Sequence, residues 1–209
     1  MQAIKIRLGS MMFLQFFIWG AWFVTLGTFL SQTLKADGPQ IGAAFASQSW
    51  GAIIAPFFVG LIADRFFNAE RILGILHLIG AVLMYLMAQA ADFSTFYPLV
   101  LGYMLAYMPT LALVNSVAFA QLQQPEREFG QIRVWGTIGW VVAGLVISYG
   151  FAWDATTAIA EGALQNTFML GAIASALLGF YSFSLPAPPP ASRGQALKLG
   201  ELLGLDAPK

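Results

Sequence analysis

Gln131-Ile132-Arg133-Val134-Trp135-Gly136-Thr137-Ile138-Gly139-Trp140 sets an arginine, a hydroxyl and two aromatics among glycines at the head of a long apolar run. If that run crosses a bilayer, Arg133 is a costly residue at its foot. A cation inside a membrane or at its edge is a functional candidate by default. What surrounds the stretch therefore decides how it is read.

The chain of 209 residues is 58% hydrophobic and only 10% charged, with a mean hydropathy of +0.72. A soluble domain carries about 25% charged residues. Here the charges sit in short clusters between apolar blocks long enough to span a bilayer, which takes roughly 20 residues each. The expected fold class is an all-α polytopic membrane protein. A membrane β-barrel is excluded, because it needs alternating segments of about 10 residues rather than continuous apolar blocks. A formal net charge of +0 argues against a nucleic-acid surface. The absence of cysteine removes disulfides, thiolate metal sites and cysteine nucleophiles. Six Trp, six Tyr and 18 Phe suit membrane interfaces and a ligand cavity alike. The N-terminus imitates a signal peptide with Lys5 and Arg7, but its apolar run continues to Leu34, beyond the ~7–15 residues of a signal core. It reads as a first membrane helix that stays.

Six crossings are predicted, at residues 9–34, 41–63, 72–91, 96–122, 134–153 and 167–185. If the N-terminus is cytoplasmic, Lys5, Arg7, Arg65, Arg71, Arg127, Arg133, Arg193, Lys198 and Lys209 all fall inside and Lys35 alone falls outside. The bias of lysine and arginine then places both ends in the cytoplasm of a cell with a cytoplasmic (inner) membrane. Residues 1–185 form the expected six-helix bundle. Residues 186–209 begin as the proline-rich Pro186-Ala187-Pro188-Pro189-Pro190 exit and continue into a weakly amphipathic segment with leucines at 197, 199, 202, 203 and 205. That tail reads as a linker cut within a longer protein.

On a helix, Arg133, Thr137, Trp140 and Gly144 follow i, i+4, i+7, i+11 and share one face. Arg133 to Trp140 spans roughly 10 Å at about 1.5 Å per residue. Such a face offers a guanidinium, a hydroxyl and an indole. The competing reading of Arg133 is an anchor that snorkels to the membrane surface. Other polar residues inside the crossings divide similarly. Gln15 and Asn115 either face a cavity or bond a neighbouring helix, and the second reading is preferred. His77 is read as satisfied by helix packing, with a proton carrier as the alternative. Glu126 and Glu128 read as solvated loop charges. Pro56 and Pro109 lie inside helices and are expected to bend them. The glycines of the second and fifth crossings suit tight packing.

Gly60-Leu61-Ile62-Ala63-Asp64-Arg65, followed by Glu70-Arg71, resembles the gating loop between helices two and three of the major facilitator superfamily. Phe67-Asn68 departs from the superfamily's usual glycine and basic residue. Other stretches resemble one branch of it, the proton-coupled nucleoside permeases. They are Phe13-Leu14-Gln15-Phe16 with Trp19-Gly20 and Trp22; Thr33-Leu34-Lys35 with Asp37-Gly38 and Ile41-Gly42-Ala43; His77 with Ile79-Gly80-Ala81; Ala106-Tyr107-Met108-Pro109-Thr110-Leu111 with Asn115; Ile132 to Gly139; and Leu202-Leu203-Gly204-Leu205-Asp206-Ala207. The similarity runs in order through nearly the whole chain. The stretch at Arg133 also resembles relatives that carry oligosaccharides or aromatic acids, so alone it signals only a polar substrate.

The resemblance implies the N-terminal six-helix half of a major facilitator fold, a three-plus-three inverted repeat. It implies a nucleoside substrate, protons as coupling ion with no other cofactor and no metal, and a C-terminal six-helix half as partner. Arg133, Thr137 and Trp140 carry over as substrate-binding candidates, with Trp140 standing where phenylalanine is expected. Gly60, Asp64, Arg65 and Arg71 carry over as the gating loop. Among other classes, an ATP-driven pump finds no Walker lysine motif. An intramembrane serine protease finds no Gly-x-Ser-Gly site to pair with His77. A half-transporter that dimerises, or a non-transporting subunit, is the remaining alternative.

Overall fold

The computed structural model describes residues 2–58 and 68–186, the side chains of 56–58 excepted. The helices in chain order are α1 (Gln2–Gly20), α2 (Leu26–Thr28), a π-helical turn (Phe29–Thr33), α3 (Gly38–Phe58), α4 (Ala69–Gln89), α5 (Phe93–Gln121), α6 (Pro125–Leu145), a second π-helical turn (Val146–Phe151), α7 (Thr156–Ala160) and α8 (Gln165–Ser182). No strand occurs among the described residues. In a bilayer every backbone polar group must find its partner within the protein, which leaves helices as the solution for apolar blocks of this length.

The six crossings are α1 with its continuation through α2, then α3, α4, α5, α6 with its π-helical end, and α8. The helices Ala69–Gln89, Phe93–Gln121 and Pro125–Phe151 are each long and apolar enough to cross a membrane unaided. The first crossing is interrupted at residues 21–25, and the last opens on the amides Gln165 and Asn166.

Helix ends depart from the expected crossings in an instructive way. α1 begins seven residues before 9, and α6 begins at Pro125 rather than near 134. Hydropathy marks where the hydrocarbon ends, whereas caps mark where the backbone stops bonding to itself. Pro125 opens α6 with Glu126 and Glu128 in its first turn, the residue types a helix N-terminus favours. Asp92 caps α5 by accepting from the Thr95 amide at 2.8 Å. Asp37 and Gln40 cap α3 reciprocally, each side chain accepting from the other's backbone N–H, at 2.8 and 3.0 Å. The expected turn between the last two crossings contains the short α7.

The main helix pairings are α1 with α6, α3 with α5, α4 with α8, α4 with α5 and α1 with α8. Numbered by crossing, these are one–five, two–four, three–six, three–four and one–six. Exchanging crossings one, two and three for four, five and six maps this set onto itself. One–five becomes four–two, three–four becomes six–one, and three–six becomes its own partner. The exchange reverses helix direction, so the bundle is the three-plus-three inverted repeat.

The symmetry extends to individual glycines. A Cβ on Gly139 of α6 would run into the Phe13 carbonyl of α1, and one on Gly51 of α3 would sit 2.5 Å from the Met104 carbonyl oxygen of α5. Crossings five and two thus approach one and four by the same device, a missing side chain. The centre is filled by large apolar groups, with Trp22, Phe29, Phe96, Tyr103 and Phe168 fully buried. The Phe29 and Phe168 rings meet edge-on at 4.8 Å. Pro98 and Pro109 lie within α5, and Pro56 within α3. The tail beyond Pro186 lies outside the described residues.

Candidate functional site

α6 buries Ile132, Gly136, Gly139 and Ala143 against α1. Arg133, Thr137, Trp140 and Gly144 lie about a quarter-turn around the helix, along the flank of that contact. Thr137 is exposed there, while Arg133, Trp140 and Gly144 are half-buried. The structure therefore brings the three predicted binding residues together as one open stripe. Their spacing on a regular α-helix is sufficient to do this.

Two aromatics of α1 back the stripe. The Arg133 guanidinium carbon lies 4.0 Å from the centroid of the Phe16 ring. Trp19 meets Trp140 edge-on, with centroids 5.4 Å apart and planes at 78°. The single ion pair among the described residues joins Lys5 and Glu128, so Arg133 has no carboxylate partner there. A guanidinium resting on a ring keeps its in-plane N–H donors available for an acceptor beside it.

Behind α1 lies a sealed polar cluster. Gln15 is 0% and His77 1% exposed. His77 Nε2 lies 2.7 Å from Gln15 Oε1, and Gln15 Nε2 donates to Thr110 Oγ1 at 2.7 Å. The Tyr107 hydroxyl donates to the Gln15 carbonyl at 2.6 Å. On the other side of the imidazole, Ser175 Oγ lies 3.1 Å from Nδ1 and 2.8 Å from the His77 carbonyl. Thr110 donates to the Tyr107 carbonyl, which turns the Gln15 amide so that Oε1 accepts from His77 Nε2–H. The cluster joins α1, α4, α5 and α8. Gln15 is therefore a helix-bridging amide, the preferred of its two readings, and does not face a cavity. Asn115 is half-buried on α5, and no side-chain hydrogen bond among the described residues uses its amide. The preferred helix-bonding reading of Asn115 finds no partner there.

Of the gating residues, Gly60, Asp64 and Arg65 lie outside the described residues. Arg71 is exposed in the first turn of α4, beside the buried Glu70. Glu128 requires a correction. It is no solvated loop charge but an α6 first-turn residue whose carboxylate meets Lys5 Nζ of α1 at 2.6 Å. The hydrogen bond from Lys5, then that from the Gln124 amide, holds the carboxyl below the usual glutamate range. Among the described residues no group of three or more His, Asp or Glu is placed to hold a metal.

A groove of about 630 Å³ lies on the opposite flank of α6, lined by Gly9, Phe13, Gln131 and Trp135 among others. Trp135 is two residues from Arg133, about 200° around the helix. The groove and the stripe are therefore separate surfaces. The residues missed by sequence reasoning are Phe16, Trp19 and Tyr107. They stood in stretches that carried the family resemblance, but an aromatic in an apolar helix gives no sign of which neighbour it touches.

A family model described as nucleoside H+ symporter matches residues 1–209. The chain is 45% identical over 206 residues to the putative nucleoside transporter YegT of Escherichia coli K12, covering 96% of this chain and 46% of that protein. It is 35% identical over 209 residues to the nucleoside permease NupG of the same organism, covering 98% of this chain and 48% of the relative. A crystal structure of nucleoside transporter NupG superposes with a TM-score of 0.83 at 34% identity, over 97% of this chain and 49% of that one. The chain spans about half the length of the curated relatives it matches.

Proposed function

The chain belongs to the nucleoside H+ symporter family, and from that premise we propose that the complete protein imports nucleosides together with protons by alternating access. These helices form the N-terminal half of a major facilitator transporter. A second six-helix half completes the protein, and the substrate lies between the two, near the middle of the bilayer. The membrane is the cytoplasmic (inner) one, with both ends of this half facing the cytoplasm. The protein is a carrier and not an enzyme.

The observation that carries this reading is the stripe on α6. Arg133 presents guanidinium donors that no carboxylate among the described residues neutralises, Thr137 is exposed, and Trp140 stands edge-on to Trp19. Arg133 suits hydroxyl or carbonyl acceptors, Thr137 donates or accepts, and Trp140 supplies a stacking surface for a base. The half-buried amide of Asn115 is a further donor and acceptor for the same cavity. Gly60, Asp64 and Arg65, with Arg71 in the first turn of α4, gate the cytoplasmic side. Protons are the coupling ion, and the groups that carry them belong to the second half.

The test is uptake of labelled uridine into vesicles bearing the full-length protein, with and without an inward proton gradient. Gradient-driven accumulation, competed by other nucleosides, is the expected result. Accumulation indifferent to the gradient removes the coupling. Competition by a disaccharide or an aromatic acid, but by no nucleoside, replaces the substrate.

A further inference from the structure

Arg133 and Trp140 are long side chains on one helix, and nothing on that helix fixes where their ends lie. Both are held from α1. Phe16 lies under the Arg133 guanidinium at 4.0 Å. Trp19, one turn further on, touches Trp140 at 5.4 Å and 78°. We propose that Phe16 and Trp19 are positioning residues for the substrate face, with Phe16 setting the plane of the guanidinium and Trp19 setting the tilt of the indole. The inference rests on the proposed binding role of Arg133 and Trp140.

Two further observations support it. Gly136 lies against both ring and guanidinium, and a Cβ there would sit 2.6 Å from Phe16 Cδ2 and 2.7 Å from Arg133 Nη1. The stack therefore exists because position 136 has no side chain. Trp19 is itself clamped from behind, with its ring 5.9 Å from that of Tyr107 at 65°. Tyr107 in turn is tied to the Gln15 carbonyl of α1. The indole nitrogen of Trp19 is buried without a hydrogen-bond partner among the described residues, so ring contacts rather than a polar bond hold it in place. The α1 pair thus links the sealed cluster around Gln15 to the open stripe on α6. A planar donor fork matches an acceptor pair only when its plane is fixed, which is what a π face beneath it supplies.

The experiment is uridine binding to purified full-length protein, measured calorimetrically beside thermal stability. The variants are Phe16→Leu, Phe16→Tyr, Trp19→Leu and Trp19→Phe, with Arg133→Ala and Trp140→Ala as controls. Loss of a π contact to a cation is expected to weaken binding about tenfold in Phe16→Leu, and Trp19→Leu is expected to weaken it likewise. Phe16→Tyr and Trp19→Phe, which keep a π face, should bind close to normally. If affinity instead follows thermal stability, or if both members of a pair lose binding together, the residues only pack and the inference is overturned. Unchanged binding in both leucine variants, with the controls defective, also overturns it while leaving the site intact. Normal binding in both controls overturns the site reading, and the inference with it.

Discussion

His77 on α4 and Gln15 on α1 share a buried contact, with Nε2 and Oε1 2.7 Å apart. The bond joins crossings three and one through the core of the half, and neither group has access to solvent. In an apolar interior a polar side chain is retained at low cost only when its partners are complete. Here His77 meets Gln15 and Ser175, Gln15 donates to Thr110, and Tyr107 donates to the Gln15 backbone carbonyl, which makes the cluster a fastening between helices. His77→Ala leaves Gln15 Oε1 without its donor and should destabilise the protein by about 1–3 kcal/mol, read as faster thermal inactivation in detergent. Pairing it with Gln15→Leu should cost less than the sum of the two single variants. Proton-driven uridine accumulation per folded molecule should stay near normal in His77→Ala. Retained stability with lost gradient dependence would instead make His77 a proton carrier.

The contact of Gly139 with the Phe13 carbonyl leaves no space for a side chain. Gly139→Leu must therefore push α1 and α6 apart, at a cost of about 1–3 kcal/mol. The separation also moves Phe16 and Trp19 away from their partners, so uridine binding should weaken in the molecules that fold. A leucine variant of Gly144, where a Cβ meets nothing within 4 Å, is the comparison that should keep its stability.

Lys5 and Glu128 tie the beginnings of α1 and α6 at 2.6 Å, and the Lys5 contact lowers the Glu128 carboxyl below its ordinary range. A lowered folded value means that the stabilisation is present above the unfolded glutamate value. It is lost as pH falls through the folded value. The stability difference between the parent and Glu128→Gln should therefore be small but measurable near neutral pH and vanish in acid. It should also shrink with salt, because the pair is near the surface and screening acts within about 10 Å at 0.1 M. A difference that grew on acidification would contradict the assignment.

The charge bias supports the proposal that both ends of this half face the cytoplasm. Reporter fusions placed after Pro186 and after Asp92 should report opposite sides, with the first cytoplasmic. Identical signals from the two positions would contradict the order of crossings.

How much of this was legible beforehand depended on whether a residue's environment is local. Arg133 stood out because a cation beside an apolar run is costly wherever the run goes, and helical spacing alone places Thr137 and Trp140 with it. The six apolar blocks announced the crossings for the same reason. Phe16 and Trp19 gave no such signal, since aromatics in a membrane helix are equally at home against lipid, core or ligand. Glu128 was misjudged because Lys5 is far away in the chain, and only the pairing of α1 with α6 brings them together. α1 and α6 begin before their apolar blocks because hydropathy falls at the interface while the helix continues to its cap. Gln15 and His77 were legible as residues needing partners, but the partner came from the fold.

The central claim is that Arg133 on α6 holds the substrate. Calorimetric uridine titration of purified full-length protein against its Arg133→Ala variant, both shown to be folded and membrane-inserted, tests it most directly. The account predicts saturable binding by the parent and no measurable binding by the variant. An unchanged Kd in the variant would return Arg133 to the role of a membrane-surface anchor.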